Sequence, residues 1–580
     1  MDRRELLRQY GTALAAASAL ALSGCSGGDG GGDGGDDGGG AATTHVTTRA
    51  PLTPTDCTPR EVTENVQADT TWSPEECPRV ALDGNIKVQN GATLTIEPGV
   101  EVVGKPGAKL TIEGDGTLKA NGEDENPIWF YGDSMASGHW ETIEVESENP
   151  NELSNVVVRD AGGGDWAGVW IRGDARCSVT DSWFANNETW GLVAEDGAVL
   201  DFARNVFTGN GTAPVSTATT VVGALDSVSR YAGDNGNDHI EVGGTDVESE
   251  GTWPATDAPF YFEDNSRLFA PITVDPGAHF IFAEGAKLTV KEEGGLTANG
   301  ESDQEIVFEG NAESPGYWET IEVESNNPDN VLDNVVVRDA GGGDWAGVWI
   351  RGDARCSVTN STFENSATWG LLAEGGATLP EFSNNEFAGN ETAPLSTATT
   401  VVASLDAEST YAGDNGNDRI EVNGTDVESE GTWPATDAPY YFEDNSRLFA
   451  SITVDPGAHF QFAEGAKLTV KEGGSLSADA GDGDTIVFQG ATDSPGYWET
   501  IEIESNNPDN VLDNVEVANG GSGDWANVWV RGGARAAISN STFRDSATWG
   551  IVVEDGANVE LSNNTYQDNA ESGIDDRRNS

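Results

Sequence analysis

Three tryptophan–arginine pairs recur along the chain in closely similar surroundings. The stretch GGGDWAGVWIRGDAR runs from Gly162 to Arg176 and returns unchanged from Gly341 to Arg355. It comes back loosely, as GSGDWANVWVRGGAR, from Gly521 to Arg535. In Val169-Trp170-Ile171-Arg172, strand alternation turns Val and Ile to one side and Trp170 and Arg172 to the other. Trp349 with Arg351 and Trp529 with Arg531 share that phase, and Trp190, Trp369 and Trp549 follow 20 residues later in a Thr-Trp-Gly corner. An outward tryptophan beside arginine and carboxylates can stack on a sugar ring and hydrogen-bond its hydroxyls. These nine residues are the candidate ligand-binding set. The plain alternative is that Trp166 and Trp170 cover a neighbouring loop while Arg172 stacks on one of them as a surface cation–π pair.

Other chemistry is sparse. The five histidines (His45, His139, His239, His279, His459) are scattered, without a His or Cys neighbour at metal-ligand spacing. The GDNGND loops at Gly233–Asp238 and Gly413–Asp418 place Asp234, Asp238, Asp414 and Asp418 among carbonyls, a donor set that suits a structural calcium ion. Their order is not that of an EF-hand, and no other cofactor is implied. Cys177 and Cys356 occupy one repeat position that is Ala536 in the third copy, so they read as small buried side chains. Cys57 and Cys77 bracket the start of the folded region and read as a disulfide. Seven Asn-X-Ser/Thr triplets (Asn187, Asn210, Asn360, Asn390, Asn423, Asn540, Asn563) are glycan acceptors by pattern.

The elements that must carry these residues are short strands in a tandem array. WETIEVES begins at Trp140 and Trp318, and WETIEIES at Trp498, giving periods of 178 and 180 residues. Residues Asn155–Thr180 and Asn334–Thr359 are identical, which marks a recent duplication. A shorter period of 23–26 residues lies within: Asn155-Val-Val-Val158, Asp181-Ser-Trp-Phe184, Asn205-Val-Phe207, with counterparts in the other copies. Val-Glu-Val at 515–517 fixes the phase, valines in and glutamate out. Asn and Gly suit left-handed corners. Long helical patterns are absent after the leader.

This pattern resembles the right-handed parallel β-helix of the pectate-lyase-like superfamily over nearly all of residues 60–570, with GAKLTVKEEGGLTANG and NSTFENSATWGLLAEGGA like ordinary rungs of it. The resemblance implies an all-β solenoid of three tandem units of about 180 residues (57–249, 250–429 and a truncated 430–575), each of roughly seven or eight coils. A string of β-sandwiches fits less well, since it calls for antiparallel hairpin signals. The superfamily includes polysaccharide lyases that use an Arg or Lys base, lowered in pKa, beside carboxylates that bind calcium. Asp160, Asp165, Arg172, Asp174 and Arg176 could mimic such a constellation, as could Arg351 and Asp353. Against it, the third copy replaces Asp353 by Gly533, Asp339 by Asn519 and Arg338 by Ala518.

Charge sets the partner class. The chain has 99 acidic and 30 basic residues, 8 of them Lys, for a net charge of −69. Such a surface repels nucleic acid and anionic lipid and resembles the proteins of salt-loving archaea, where concentrated salt silences self-repulsion. The N-terminus supplies an address. Residues 1–24 pair Arg3-Arg4 with an apolar stretch too short to span a bilayer, followed by Leu22-Ser23-Gly24-Cys25. This is similar to a twin-arginine signal with a lipobox, which implies cleavage before Cys25 and lipidation of its sulfur. Residues 25–56, rich in Gly, Asp and Thr, read as a flexible linker of roughly 30 Å reach. The expectation is a non-catalytic, lipid-anchored protein on the extracellular face of the membrane. It presents a repeated β-helix face to a cell-envelope glycan, extracellular polysaccharide or surface protein. A carbohydrate-modifying enzyme is the alternative.

Overall fold

The computed structural model describes residues 57–578. The expected signal peptide, the expected lipidation site Cys25 and the expected linker through residue 56 lie outside the described residues. All described residues belong to one compact unit, His45–Ser580. They wind into a right-handed parallel β-helix of about 22 turns, roughly 105 Å of coil at ~4.8 Å per turn.

Each turn carries up to three short strands, each pairing in parallel with its counterpart one turn away. Antiparallel contact among the described residues is confined to the isolated bridges Glu123–Asn126 and Glu301–Gln304, which removes the sandwich reading. The first face opens with Arg60–Val62, the second with Asn85–Val88 and the third with Thr70–Trp72. Among the described residues, helix is limited to 3-10 turns at Thr219–Ala224, Gly342–Asp344, Val402–Ser404 and Ser522–Asp524.

Alternation does what the sequence leads one to expect. Ile143, Val169 and Leu192 stack in register inside the coil, fully buried. Aromatic stacks run up the interior: Phe260, Phe280 and Phe308 have centroids 5.7 and 5.0 Å apart, and Phe282 lies 4.3 Å from Trp318. Corners fall on Asn and Asp because these residues tolerate the left-handed backbone. Asn155, Asn334 and Asn514 have φ of 48°, 49° and 52°. Inside the corners, asparagines form ladders: buried Asn187 donates to buried Asn210 at 2.8 Å, and Asn210 to the half-buried Asn235 at 2.9 Å. Cys57 and Cys77 are joined in a disulfide. Cys177 and Cys356 are buried, and burial pushes both thiols up to about 12.

The sequence repeat and the turn of the coil are incommensurate. From Val169–Ile171 up the second face to Val335–Arg338 is seven strand steps, and Val348–Ile350 then follows on the next face. The same count leads from Val348–Ile350 to Val515–Ala518, with Val528–Val530 one face further on. One repeat therefore spans seven and a third turns. Equivalent strands shift by one face per repeat, so the single repeated face expected from the sequence is instead distributed over all three.

Candidate ligand-binding clusters

Each outward Trp–Arg pair sits at the centre of a charged, aromatic cluster assembled from three or four successive turns. In the first, Glu144 stands between Lys109 and Arg172, accepting from Lys109 Nζ at 2.8 Å and Arg172 Nη1 at 2.9 Å. Its side chain is only 3% exposed, so the two cations are what keep it ionised. Thr111 adds a hydroxyl donor at 3.2 Å. One turn above, Trp170 Nε1 donates to Glu195 at 2.9 Å. Trp166 meets Trp170 edge-on with centroids 5.3 Å apart, and Lys109 Nζ lies 4.1 Å from the Trp166 ring centre.

The second and third copies repeat this arrangement. Glu322 binds Lys287 at 3.2 Å and Arg351 at 2.6 Å; Glu502 binds Lys467 at 3.2 Å and Arg531 at 2.7 Å. Trp349 donates to Glu374 and Trp529 to Glu554, each at 2.9 Å. Lys287 lies 4.3 Å from the Trp345 ring and Lys467 lies 4.6 Å from Trp525. Arg351 sits 4.9 Å from the Trp349 ring centre, and Arg531 sits 5.3 Å from Trp529. The paired rings are half-buried in every copy.

The second tryptophan set is less uniform. Trp190 donates to Glu241 at 2.6 Å and Trp369 to Glu421 at 2.7 Å, whereas Trp549 lies 5.7 Å from the Arg577 guanidinium. The WETIE tryptophans are core residues instead: Trp140, Trp318 and Trp498 are buried and donate to backbone carbonyls at 2.8 Å.

The lyase-like constellation of the first copy is spread over the three faces, whereas Arg351 and Asp353 of the second line one hollow. Arg172 lies on the second face, Arg176 on the third, and Asp160 at the end of a first-face strand, where it binds Arg159 and Asn186. Asp165, Asp174 and Asp353 are exposed in turns. The arginine electrostatics also run opposite to those of a base. Burial works against charge on Arg172, but Glu144, Glu195 and Glu146 outweigh it and hold the guanidinium above its ordinary pKa. Arg351 is raised chiefly by Glu322, and Arg531 by Glu502 and Glu554 against an opposing burial effect.

The GDNGND carboxylates cap their own loops. Asp238 accepts from the Asn235 amide N–H and side chain, each at 2.9 Å, and Asp418 accepts from Asn415 N–H at 2.9 Å. Asp234 and Asp414 are exposed. Among the described residues, no group of three or more His, Cys, Asp or Glu could hold a metal ion. Of the acceptor asparagines, Asn187, Asn210 and Asn390 are buried ladder members and cannot carry a glycan in the folded protein, while Asn360, Asn423, Asn540 and Asn563 are exposed.

A groove of about 1060 Å³ lies beside the second cluster, between the Thr219–Ala224 turn and the third face, lined by Asp246, Arg267, Lys287, Thr289 and Glu322. A smaller hollow of about 560 Å³ lies near Arg351, Asp353 and Glu374. Sequence reasoning missed the lysines and glutamates of the clusters. The signal was present: GAKLT and TIE recur in all three repeats, and alternation turns those Lys and Glu outward.

The fold defines this chain as a right-handed parallel β-helix repeat protein. The family model described as "Right handed beta helix region" matches residues 466–580. No curated protein matches the chain.

Proposed function

We propose that this protein is a non-catalytic, glycan-binding scaffold of the cell envelope, anchored through Cys25 and held off the membrane by the 25–56 linker. The observation that carries the reading is the threefold construction of one cluster, with the same Lys, Glu, Arg and paired Trp in each. An aromatic edge framed by fixed donors and acceptors offers a stacking platform and hydrogen-bond partners for sugar hydroxyls. Internal pairing of the charges holds these side chains in place before a ligand arrives, which lowers the entropy lost on binding. A net charge of −69 favours a neutral glycan over an anionic one. Arginines held firmly protonated suit binding rather than proton abstraction.

A glycan array probed in high salt with wild type and with the triple variant Trp170→Ala, Trp349→Ala, Trp529→Ala tests this. The variant is expected to lose array binding while its circular dichroism spectrum stays that of the wild type. Binding unchanged in the triple variant overturns the reading.

A further inference from the structure

The three clusters share the same Lys, Glu, Arg and paired Trp, with Arg577 added 5.2 Å from the Trp529 ring in the third, but they stand on different faces. Trp170 stands on the second face, Trp349 on the third and Trp529 on the first, because each repeat advances the coil by seven and a third turns. Neighbouring clusters are thus roughly 35 Å apart along the axis at ~4.8 Å per turn, and one face apart around it. We infer that the protein is a trivalent cross-linker, in which each cluster takes a different strand of a neutral polysaccharide. This rests on the glycan reading of the clusters and goes beyond it in fixing valency and partner: a polymer network rather than a single chain or a flat receptor.

Three geometric points carry it. A chain lying straight along the coil stays on one face and meets one cluster. A flat surface pressed against the coil likewise meets one. A chain that wound around the coil would follow a long diagonal. With about 24 residues per turn at ~3.3 Å each, a third of the perimeter is roughly 27 Å, so each step between clusters is about 45 Å, taken across a corner. Avidity is lost where geometry forbids simultaneous engagement. Three sites on three faces therefore gain nothing from one straight chain and gain most from three separate ones.

The test uses the full chain in high salt with three soluble neutral polysaccharides (a mannan, a β-glucan and a galactan) and hexasaccharides cut from each. Wild type is compared with three variants that each keep one cluster, the other two carrying Trp→Ala at Trp170, Trp349 or Trp529. For whichever polymer binds, calorimetry is expected to give three hexasaccharides per wild-type molecule and one per single-cluster variant, with per-site affinity within twofold. Light scattering is expected to show the wild type growing polymer into particles at least tenfold larger, and no growth with any single-cluster variant. One polymer chain per protein without particle growth overturns the cross-linking inference while leaving the glycan reading standing. Failure of the wild type to bind any of the three polymers overturns both.

Discussion

A carboxylate almost wholly shut away from water has to keep its charge partnered, and Glu144, Glu322 and Glu502 each keep two cations. Burial alone would raise their pKa; the paired Lys and Arg outweigh it and hold each one below the usual carboxylate value. A depressed folded-state pKa means stability that is fully present above the unfolded value of about 4.3 and lost as pH falls through the lower folded value. Acid should therefore loosen the clusters below about pH 4.3. Chemical denaturation between pH 7 and 3 should show stability falling in that window, with Glu322→Gln reducing the proton dependence by up to one proton. An identical pH profile in the variant would mean that the Lys287–Glu322–Arg351 triad is not linked to folding.

At the scale of the element, the coil is held as much by its corners as by its strands. Asn390 shows the logic: its side chain donates to Phe363 O at 3.1 Å and to Asn415 at 2.9 Å, and its own oxygen accepts from Ser366 N–H at 3.1 Å. Every partner is buried where water cannot substitute. Removing the amide leaves backbone groups unsatisfied, at about 1–3 kcal/mol. Asn390→Ala should lower the thermal midpoint accordingly, measured by circular dichroism, and a midpoint unchanged from wild type would mean the ladder adds nothing to stability. The same burial explains why Asn187, Asn210 and Asn390 satisfy the glycan-acceptor pattern yet belong to the scaffold. Their spacing is that of the turn, and a Ser or Thr two residues on is part of the corner.

For the whole molecule, charge is the dominant variable. A net charge of −69 on one chain stores repulsion that salt must screen. The Debye length shrinks from about 10 Å at 0.1 M to about 3 Å at 1 M, so repulsion between carboxylates on different faces fades across that range. The buried Lys–Glu–Arg contacts are screened much less. Thermal melts from 0.1 to 3 M NaCl should show a midpoint that rises steeply to about 0.5 M salt and then flattens. A midpoint indifferent to salt would argue that the acidic surface has no role in stability. At this scale the incommensurate repeat also matters, because it decides how many partners three equal clusters can reach.

Much of this was legible in the chain itself. Alternation in Val169-Trp170-Ile171-Arg172 is local chemistry, and it placed valine and isoleucine inside and Trp170 outside without reference to anything distant. The short period with Asn at its corners carried the resemblance to a parallel β-helix, and a string of sandwiches fitted less well for want of antiparallel hairpin signals. The cluster partners were not legible in the same way. Lys109 and Glu144 are 35 residues apart, Arg172 and Glu144 28, and Trp170 and Glu195 25. Turns of unequal length leave such spacings without meaning until the strands are in register. Nor could three near-identical copies reveal that they point three ways. Direction around the axis depends on the fractional number of turns per repeat, a sum over every loop between copies, and only the folded coil takes that sum.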